Sequence, residues 1–345
     1  MAWLFLTYTI GAVELTARIP YAAVSLGRVS PLLVWVYYGL LLGGYAVSQM
    51  DAERRQSLWQ RLTSRLPMKT LVAGLALAVI LIWIAAISLP DGKLHVVFFD
   101  VGQGDAIFIQ TPQGRQVLID GGPDPTALTT ALGRRLPFWD RNLDLVILTH
   151  PDTDHLTGLV PVLERYRVDR VLEPGYPATS QTYARWLELI AEKRIPALLA
   201  RTGVRIELEP GLVCEVLHPT SDLDPEDKAN NVSAVTRWTW GQVTFLLPGD
   251  IEQEVEAALV ASDQPLQATV LKVPHHGSDT SSSATFLQAV NPQLVIISVG
   301  ADNRFGHPSP EVLERLAGRT VLRTDERGTI EVVTDGSRLW VQTER

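Results

Sequence analysis

The chain has 345 residues, 46% of them hydrophobic, and a formal net charge of −8. Its length exceeds one average domain, and its single cysteine, Cys214, excludes a disulfide framework and a cysteine-rich zinc knuckle. Residues 1–90 carry seven basic and three acidic side chains, leaving 23 basic and 35 acidic on residues 91–345, a net of −12 that excludes a polyanion binder working by charge alone.

The run Met1 to Gly11 is apolar but short, and no basic segment precedes it, which argues against a cleaved signal peptide. Ala12 to Ser30, with Glu14, Arg18, Pro20 and Arg28, suits an interfacial position. A chain that starts on a half-span is expected to be the tail of a larger membrane protein. Two charge-free runs follow, Pro31–Met50 and Thr70–Leu89, of 20 residues each. At about 1.5 Å per residue each spans roughly 30 Å of hydrocarbon, so two transmembrane helices are expected. Between them Arg54, Arg55, Arg61, Arg65 and Lys69 outnumber Asp51 and Glu53. Basic loops stay in the cytoplasm, so everything after Leu89 is expected outside it. The expected division is a transmembrane region over 1–90 and a second domain over 91–345.

In that second domain the pattern predicts strands over Leu94–Phe99, Ala106–Gln110 and Gln116–Ile119, then a helix over Thr126–Leu136. Leu143–Thr149 reads as a strand, Leu156–Arg165 as a helix, Val168–Leu172 as a strand and Gln181–Lys193 as a helix. Antiparallel strands are expected over Val204–Leu208, Val213–Leu217, Ser233–Trp240 and Gln242–Leu247, with a helix from Glu252 to Val260. Strands over Ala268–Val273 and Leu294–Val299 flank a helix over Ser283–Val290. The helix Glu311–Ala317 and strands Arg319–Arg323, Thr329–Val333 and Arg338–Gln342 close the chain. Two blocks of strands with few helices suit an α/β fold of two mixed sheets packed face to face with helices outside, an αββα sandwich.

Each polar cluster falls just after a predicted strand, so all can gather on one rim. The densest is His150-Pro151-Asp152-Thr153-Asp154-His155, two imidazoles and two carboxylates in six residues. A solvated loop gains nothing from that density, whereas a dinuclear metal site needs it. Asp120, at a strand end before Gly121 and Gly122, is expected to lock its turn. Arg134, Arg135 and Arg141, or Arg165, Arg167 and Arg170, are candidates to track a polyanionic backbone, or a solvated surface.

His150-x-Asp152-x-Asp154-His155 resembles the H-x-H-x-D-H signature of the metallo-β-lactamase superfamily, with Asp120, Asp250 and His276 matching its other motifs in order. The closer resemblance is to the C-terminal domain of the ComEC/Rec2 competence proteins. It rests on Asp100-Val-Gly-Gln-Gly-Asp105, Asp120-Gly-Gly, Pro248-Gly-Asp250, Lys272-Val-Pro-His-His-Gly-Ser278 and Gly306-His-Pro308, and covers nearly all of residues 94–335. The resemblance implies that His150 and Asp152 hold one divalent ion, that Asp154, His155 and His276 (with the adjacent His275 as the alternative to it) hold another, and that Asp250 bridges. Two such ions activate water and clamp the oxygens of a displacement at phosphorus. Asp154 is then placed to take a proton, and His307 or His275 to give one to the leaving oxygen. Asn231 becomes a candidate oxygen ligand or substrate contact, Ser278 a candidate substrate contact, and Asp100 and Asp105 structural residues beside Asp120.

Two departures from the superfamily pattern matter. Asp152 replaces a histidine, which makes the site richer in oxygen and leaves Mn²⁺ as open as Zn²⁺. The third-motif histidine is missing: Asn230-Asn231-Val232-Ser233 stands at that spacing, and His218 lies further from Asp250. The expected function is a membrane-tethered, metal-dependent phosphodiesterase or nuclease of the DNA-uptake machinery. It would degrade the non-imported strand outside the cytoplasm, with single-stranded DNA, the membrane and an upstream or partner channel as partners. The alternatives are another hydrolase on this fold (a lactonase, phosphocholine esterase or β-lactamase) or a non-enzymatic DNA-binding module of the channel.

Overall fold

The computed structural model describes residues 31–51, 53–55, 57, 68–87, 90–137, 139–220, 223 and 226–345. The chain divides into two units, Met1–Pro90 and Asp91–Arg345. In the first, α1 (Pro31–Ser48) and α2 (Met68–Ile87) coincide with the two charge-free runs. Leu75, Leu77, Val79 and Leu81 of α2 are all exposed, and offsets of two residues fall on opposite sides of a helix. Among the described residues no helix is long and apolar enough to cross a membrane. The two runs are therefore met as helices, while their expected role as membrane spans is not shown. The interfacial segment expected over residues 12–30, and Arg61 and Arg65 of the basic loop, lie outside the described residues.

The second unit opens with β1 (Leu94–Phe98), β2 (Ile107–Gln110) and β3 (Gln116–Ile119), an antiparallel meander. Next come α3 (Pro125–Arg135), β4 (Asn142–Leu143), β5 (Leu145–Ile147), the one-turn α4 (Thr153–Leu156), α5 (Leu159–Arg165), β6 (Arg167–Val168), β7 (Val171–Glu173), α6 (Gln181–Glu192) and β8 (Ala197–Leu199). The second half runs β9 (Arg205–Glu209), β10 (Leu212–His218), β11 (Val235–Trp240), β12 (Val243–Leu247), α7 (Gln253–Ala261), β13 (Val270–Lys272), α8 (Ala284–Val290) and β14 (Leu294–Ile297). It ends with α9 (Pro310–Arg315), β15 (Thr320–Arg323) and α10 (Thr324–Arg327), after which β16 (Ile330–Thr334) and β17 (Leu339–Thr343) return to the first sheet.

The first sheet has the order β17-β16-β1-β2-β3-β5-β7-β8 and the second β15-β14-β13-β12-β11-β10-β9. Alternation along each strand decides which face meets which core. Leu94, Val96 and Phe98 of β1 point between the sheets with Trp238 and Phe245, while Val97 and Phe99 point outward. The outward face of the first sheet is covered by residues of α3, α5 and α6, including Leu128, Leu163 and Trp186. That of the second is covered by α7, α8 and α9 through Leu259, Phe286 and Val312. This is the expected αββα sandwich, and strands buried on both faces explain why they read as nearly unbroken apolar runs.

Each sheet is antiparallel in one part and parallel in the other. β3, β5, β7 and β8 run parallel in the first sheet, as do β12, β13, β14 and β15 in the second. The turns after β3, β5, β12, β13 and β14 carry the polar clusters. Three predicted elements are broken in the structure, among them the strand Val168–Leu172, which divides into β6 and β7. Asp144 interrupts Leu143–Thr149 because its Oδ2 accepts the Gln116 backbone N–H at 2.9 Å. Gly158 interrupts Leu156–Arg165, because the chain there packs directly on the Gly121 backbone.

Candidate metal centre

β5 ends at Ile147, and the next five residues turn across the rim to start α4. That turn is held from below by the turn after β3. Gly121 N donates to His155 O at 2.6 Å, and Gly158 N donates to Gly122 O at 3.0 Å. A side chain at Gly158 would put its Cβ 1.9 Å from Gly121 O, so glycine is required there by close approach rather than by dihedral angle.

Asp120 does not lock its own turn as expected. Its Oδ1 accepts the Thr149 N–H at 2.8 Å, and its Oδ2 accepts the Thr149 hydroxyl at 2.6 Å and the His155 Nδ1–H at 2.8 Å. A buried carboxylate on Nδ1 fixes the ring and turns Nε2 toward the centre, the usual orienting partner of a metal-ligating histidine. On the facing sheet, the turn after β12 presents Asp250 and the turn after β13 presents His276. The His276 Nδ1 donates to Ser298 O at 2.9 Å, which likewise aims Nε2 at the centre.

Asp154, His155, Asp250 and His276 thus converge, with one donor atom of each within 4.8 Å of the others. Asp250 Oδ2 lies 3.2 Å from Nε2 of both His155 and His276, and Asp154 Oδ2 lies 3.4 Å from His276 Nε2. Nε2 of His276 and of His150 are buried without a hydrogen-bond partner. Orphaned imidazole nitrogens facing carboxylates fit a divalent cation, and two nitrogens with two oxygens are a donor set that such an ion accepts.

The electrostatics agree. Burial works against charge on every member, yet the neighbouring His155 and His276 rings hold Asp154 well below the usual carboxylate range. Asp250 is depressed in the same way by His276, His155 and Lys272. Burial also opposes charge on the two imidazoles, but Asp250 chiefly outweighs it, pushing His276 up to about 9 and His155 well above its ordinary value. A cation entering the cluster displaces those protons, so its binding is coupled to pH.

The expected second ion position is thinner. His150 is fully buried, with Nδ1 3.1 Å from the Thr149 hydroxyl and Nε2 3.7 Å from Asp152 Oδ2. Asp152 is 43% exposed. Where the third histidine is missing, Ser233 Oγ sits 3.3 Å from His150 Nδ1 and accepts the Asp250 N–H at 3.1 Å. His218 is turned away, with Nε2 2.8 Å from Asn231 O.

Other expected residues divide. His275 and His307 face each other edge to face at 5.6 Å beside His276, and burial lowers both below the ordinary imidazole value. Both rings stand at the rim beside His276. Asn231 does not face the centre. Its Oδ1 accepts the Glu252 N–H at 2.8 Å and its Nδ2 donates to Glu254 at 2.9 Å, so it ties down the start of α7. Ser278 is buried and spent on Thr280, 3.0 Å away. The arginine clusters also miss the rim. Arg165, Arg167 and Arg170 precede β7, at the opposite end of the parallel strands from His150. Arg135 binds Glu331 at 2.6 Å and Arg134 pairs with Glu344 at 3.6 Å. Asp100 accepts from Arg345 Nη2 at 2.7 Å.

One site residue was quoted in a motif but given no role from the sequence. Lys272, the last residue of β13, is fully buried, with Nζ 3.2 Å from Asp250 Oδ1, 3.1 Å from Gly249 O and in contact with Asp105 Oδ2. Burial opposes its charge, but Asp105 and Asp250 keep it protonated. A lysine on a strand reads as surface, and its partner Asp105 is remote in sequence.

A family model described as the Metallo-beta-lactamase superfamily matches residues 99–300, more than half of the chain. ComE operon protein 3 of Bacillus subtilis (strain 168) is 32% identical over 259 residues, covering 70% of this chain and 33% of that protein. Competence protein ComA of Neisseria gonorrhoeae is 30% identical over 247 residues, covering 71% and 33%. Recombination protein 2 of Haemophilus influenzae is 30% identical over 251 residues, covering 71% and 29%. The chain thus spans about a third of the length of the curated relatives it matches.

Proposed function

The chain belongs to the metallo-beta-lactamase superfamily, with a ComEC/Rec2-like domain, and we propose that this domain is a metal-dependent phosphodiesterase acting on DNA during its uptake. The observation that carries the reading is the convergence of Asp154, His155, Asp250 and His276, two from each sheet, on one point of the rim. These four residues would hold a divalent cation, which polarises a phosphoryl oxygen and lowers the pKa of water when bound. Zn²⁺ and Mn²⁺ both suit two imidazoles and two carboxylates.

The chain's own groups supply the rest. Asp120 and Ser298 O hold the two imidazoles in orientation. Lys272 takes up the charge on Asp250 Oδ1 and leaves Oδ2 facing the centre. Asp154 is 31% exposed at the open side of the cluster, where its carboxylate can accept a hydrogen bond from the attacking water and orient it. His275 and His307, beside His276 at the rim, can hydrogen-bond to the leaving oxygen and give it a proton. The names of the relatives support DNA as substrate and an uptake channel as partner. The apolar helix α2, exposed on opposite sides, supports attachment to a membrane, and the basic residues between the two helices support a position of the acidic domain outside the cytoplasm.

The test is cleavage of end-labelled single- and double-stranded DNA by the purified full chain with Mn²⁺, Zn²⁺ or Mg²⁺, beside an Asp250→Ala variant. Cleavage of single strands that needs both the ion and Asp250 is expected, and undiminished cleavage by Asp250→Ala would refute the assignment. The two-donor position at His150 and Asp152 favours one other reading, a metal-holding module without activity. A bound ion with no cleavage of either DNA would establish it.

A further inference from the structure

Beside the metal centre, four aromatic rings lead outward to the surface. His276 stands 6.3 Å from His275, His275 stands 5.6 Å from His307, and His307 stacks on Phe305 at 5.8 Å with the planes only 13° apart. Phe305 is 71% exposed, the most exposed large hydrophobic residue described in the chain. A benzyl ring left in water costs free energy that burial elsewhere would recover, and here its position is enforced. Asn303 donates from Nδ2 to Gly300 O and to His307 O, both at 2.8 Å, and accepts the His307 N–H at 3.0 Å. The side chain of Asn303 thus closes the loop from within. Gly306, at φ +74°, makes the turn between the two stacked rings. Arg304, also exposed, directly precedes Phe305 in the chain.

We propose that Phe305, backed by His307, is a stacking platform for one unstacked nucleobase of a single-stranded nucleic acid whose phosphodiester lies at the metal centre. The proposal rests on the phosphodiesterase reading and adds what that reading lacks, a source of affinity on an acidic domain. Base–aromatic stacking does not depend on net charge and tolerates every base. A duplex keeps its bases paired and stacked internally, so the platform selects single strands. Arg304 adds a contact to the adjoining phosphate or to the base face.

The test uses the full chain and deoxyribo-oligonucleotides carrying 2-aminopurine, whose fluorescence is quenched on stacking, so that binding is read without cleavage. Phe305→Ala should bind the base-bearing strand about 5- to 150-fold more weakly, the loss expected for one stacked base. It should bind an otherwise identical abasic strand as the wild type does, with unchanged metal content. Phe305→Trp should retain both affinity and quenching. Equal binding of base-bearing and abasic strands by wild type and Phe305→Ala would overturn the platform, as would failure of the wild type to bind either strand. Self-association of the wild type that Phe305→Ala abolishes, without a change in oligonucleotide binding, would also overturn it and assign the ring to a protein contact. Quenching by a wild type that cleaves no DNA would sustain the platform and remove the phosphodiesterase reading instead.

Discussion

Lys272→Met tests the electrostatic frame of the site most directly. The substitution nearly conserves volume, so packing along β13 should survive, but it removes the one ammonium between two buried carboxylates. Lys272, Asp105 and Asp250 are 0%, 1% and 2% exposed, so neither carboxylate can turn to water for compensation. Removing one partner from a buried, hydrogen-bonded ion pair costs about 3–5 kcal/mol. For a domain of this size that lowers the melting temperature by roughly 6–20 °C. Thermal and urea unfolding of the full chain, with chelator and with excess Mn²⁺, would measure it. The loss should be largest with chelator, because a bound cation neutralises Asp250 from its other oxygen. Adding Asp105→Asn should recover part of the loss, since it removes one of the two stranded charges. A Lys272→Met domain within about 1 kcal/mol of the wild type under chelator would refute the buried-pair account.

Asp120→Ala should leave the fold in place but weaken divalent-metal binding by about 10- to 100-fold, measured by calorimetric titration, because His155 loses the carboxylate that orients it. Gly158→Ala should destabilise the domain by about 1–3 kcal/mol in urea unfolding, although its φ of −69° suits alanine, because the added Cβ meets Gly121 O. His95 gives a pH dependence away from the metal. Burial disfavours its charge, but hydrogen bonds to Glu331 at 2.7 Å and Asp91 at 3.0 Å outweigh this and raise its pKa above 6.5. Its contribution is therefore fully present below the unfolded-state value and is lost as pH rises through the folded one. The cost of His95→Gln should accordingly be larger near about pH 6 than near about pH 9, and equal costs at both would refute the pairing.

The sandwich was legible because its strands are covered on both faces and stand out as apolar runs bounded by glycine, proline and aspartate turns. β8 was not, since Ala197, Leu198 and Leu199 are all exposed at the edge of the first sheet and follow Pro196 with no alternation to mark them. The donor turn was legible because its residues are adjacent in sequence. What escaped was long-range: the Lys272–Asp105 contact and the use of Asp120 on His155. Asn231 and Ser278 show the converse. Proximity in sequence placed them at the site, but short local hydrogen bonds claim both side chains, as small polar residues in turns commonly allow.

The rim also has a consequence for how the domain comes together. Asp154 and His155 belong to the first sheet's turn, Asp250 and His276 to the second's, and the Lys272–Asp105 pair joins the same two halves. A chain that has folded only its first sheet owns half a coordination shell and cannot retain an ion. Metal capture is then a checkpoint for assembly, reached only when both halves have closed. Opening the sheets far enough to expose the core would release the ion first, so metal loss precedes global unfolding and the cation fastens the rim as a clasp.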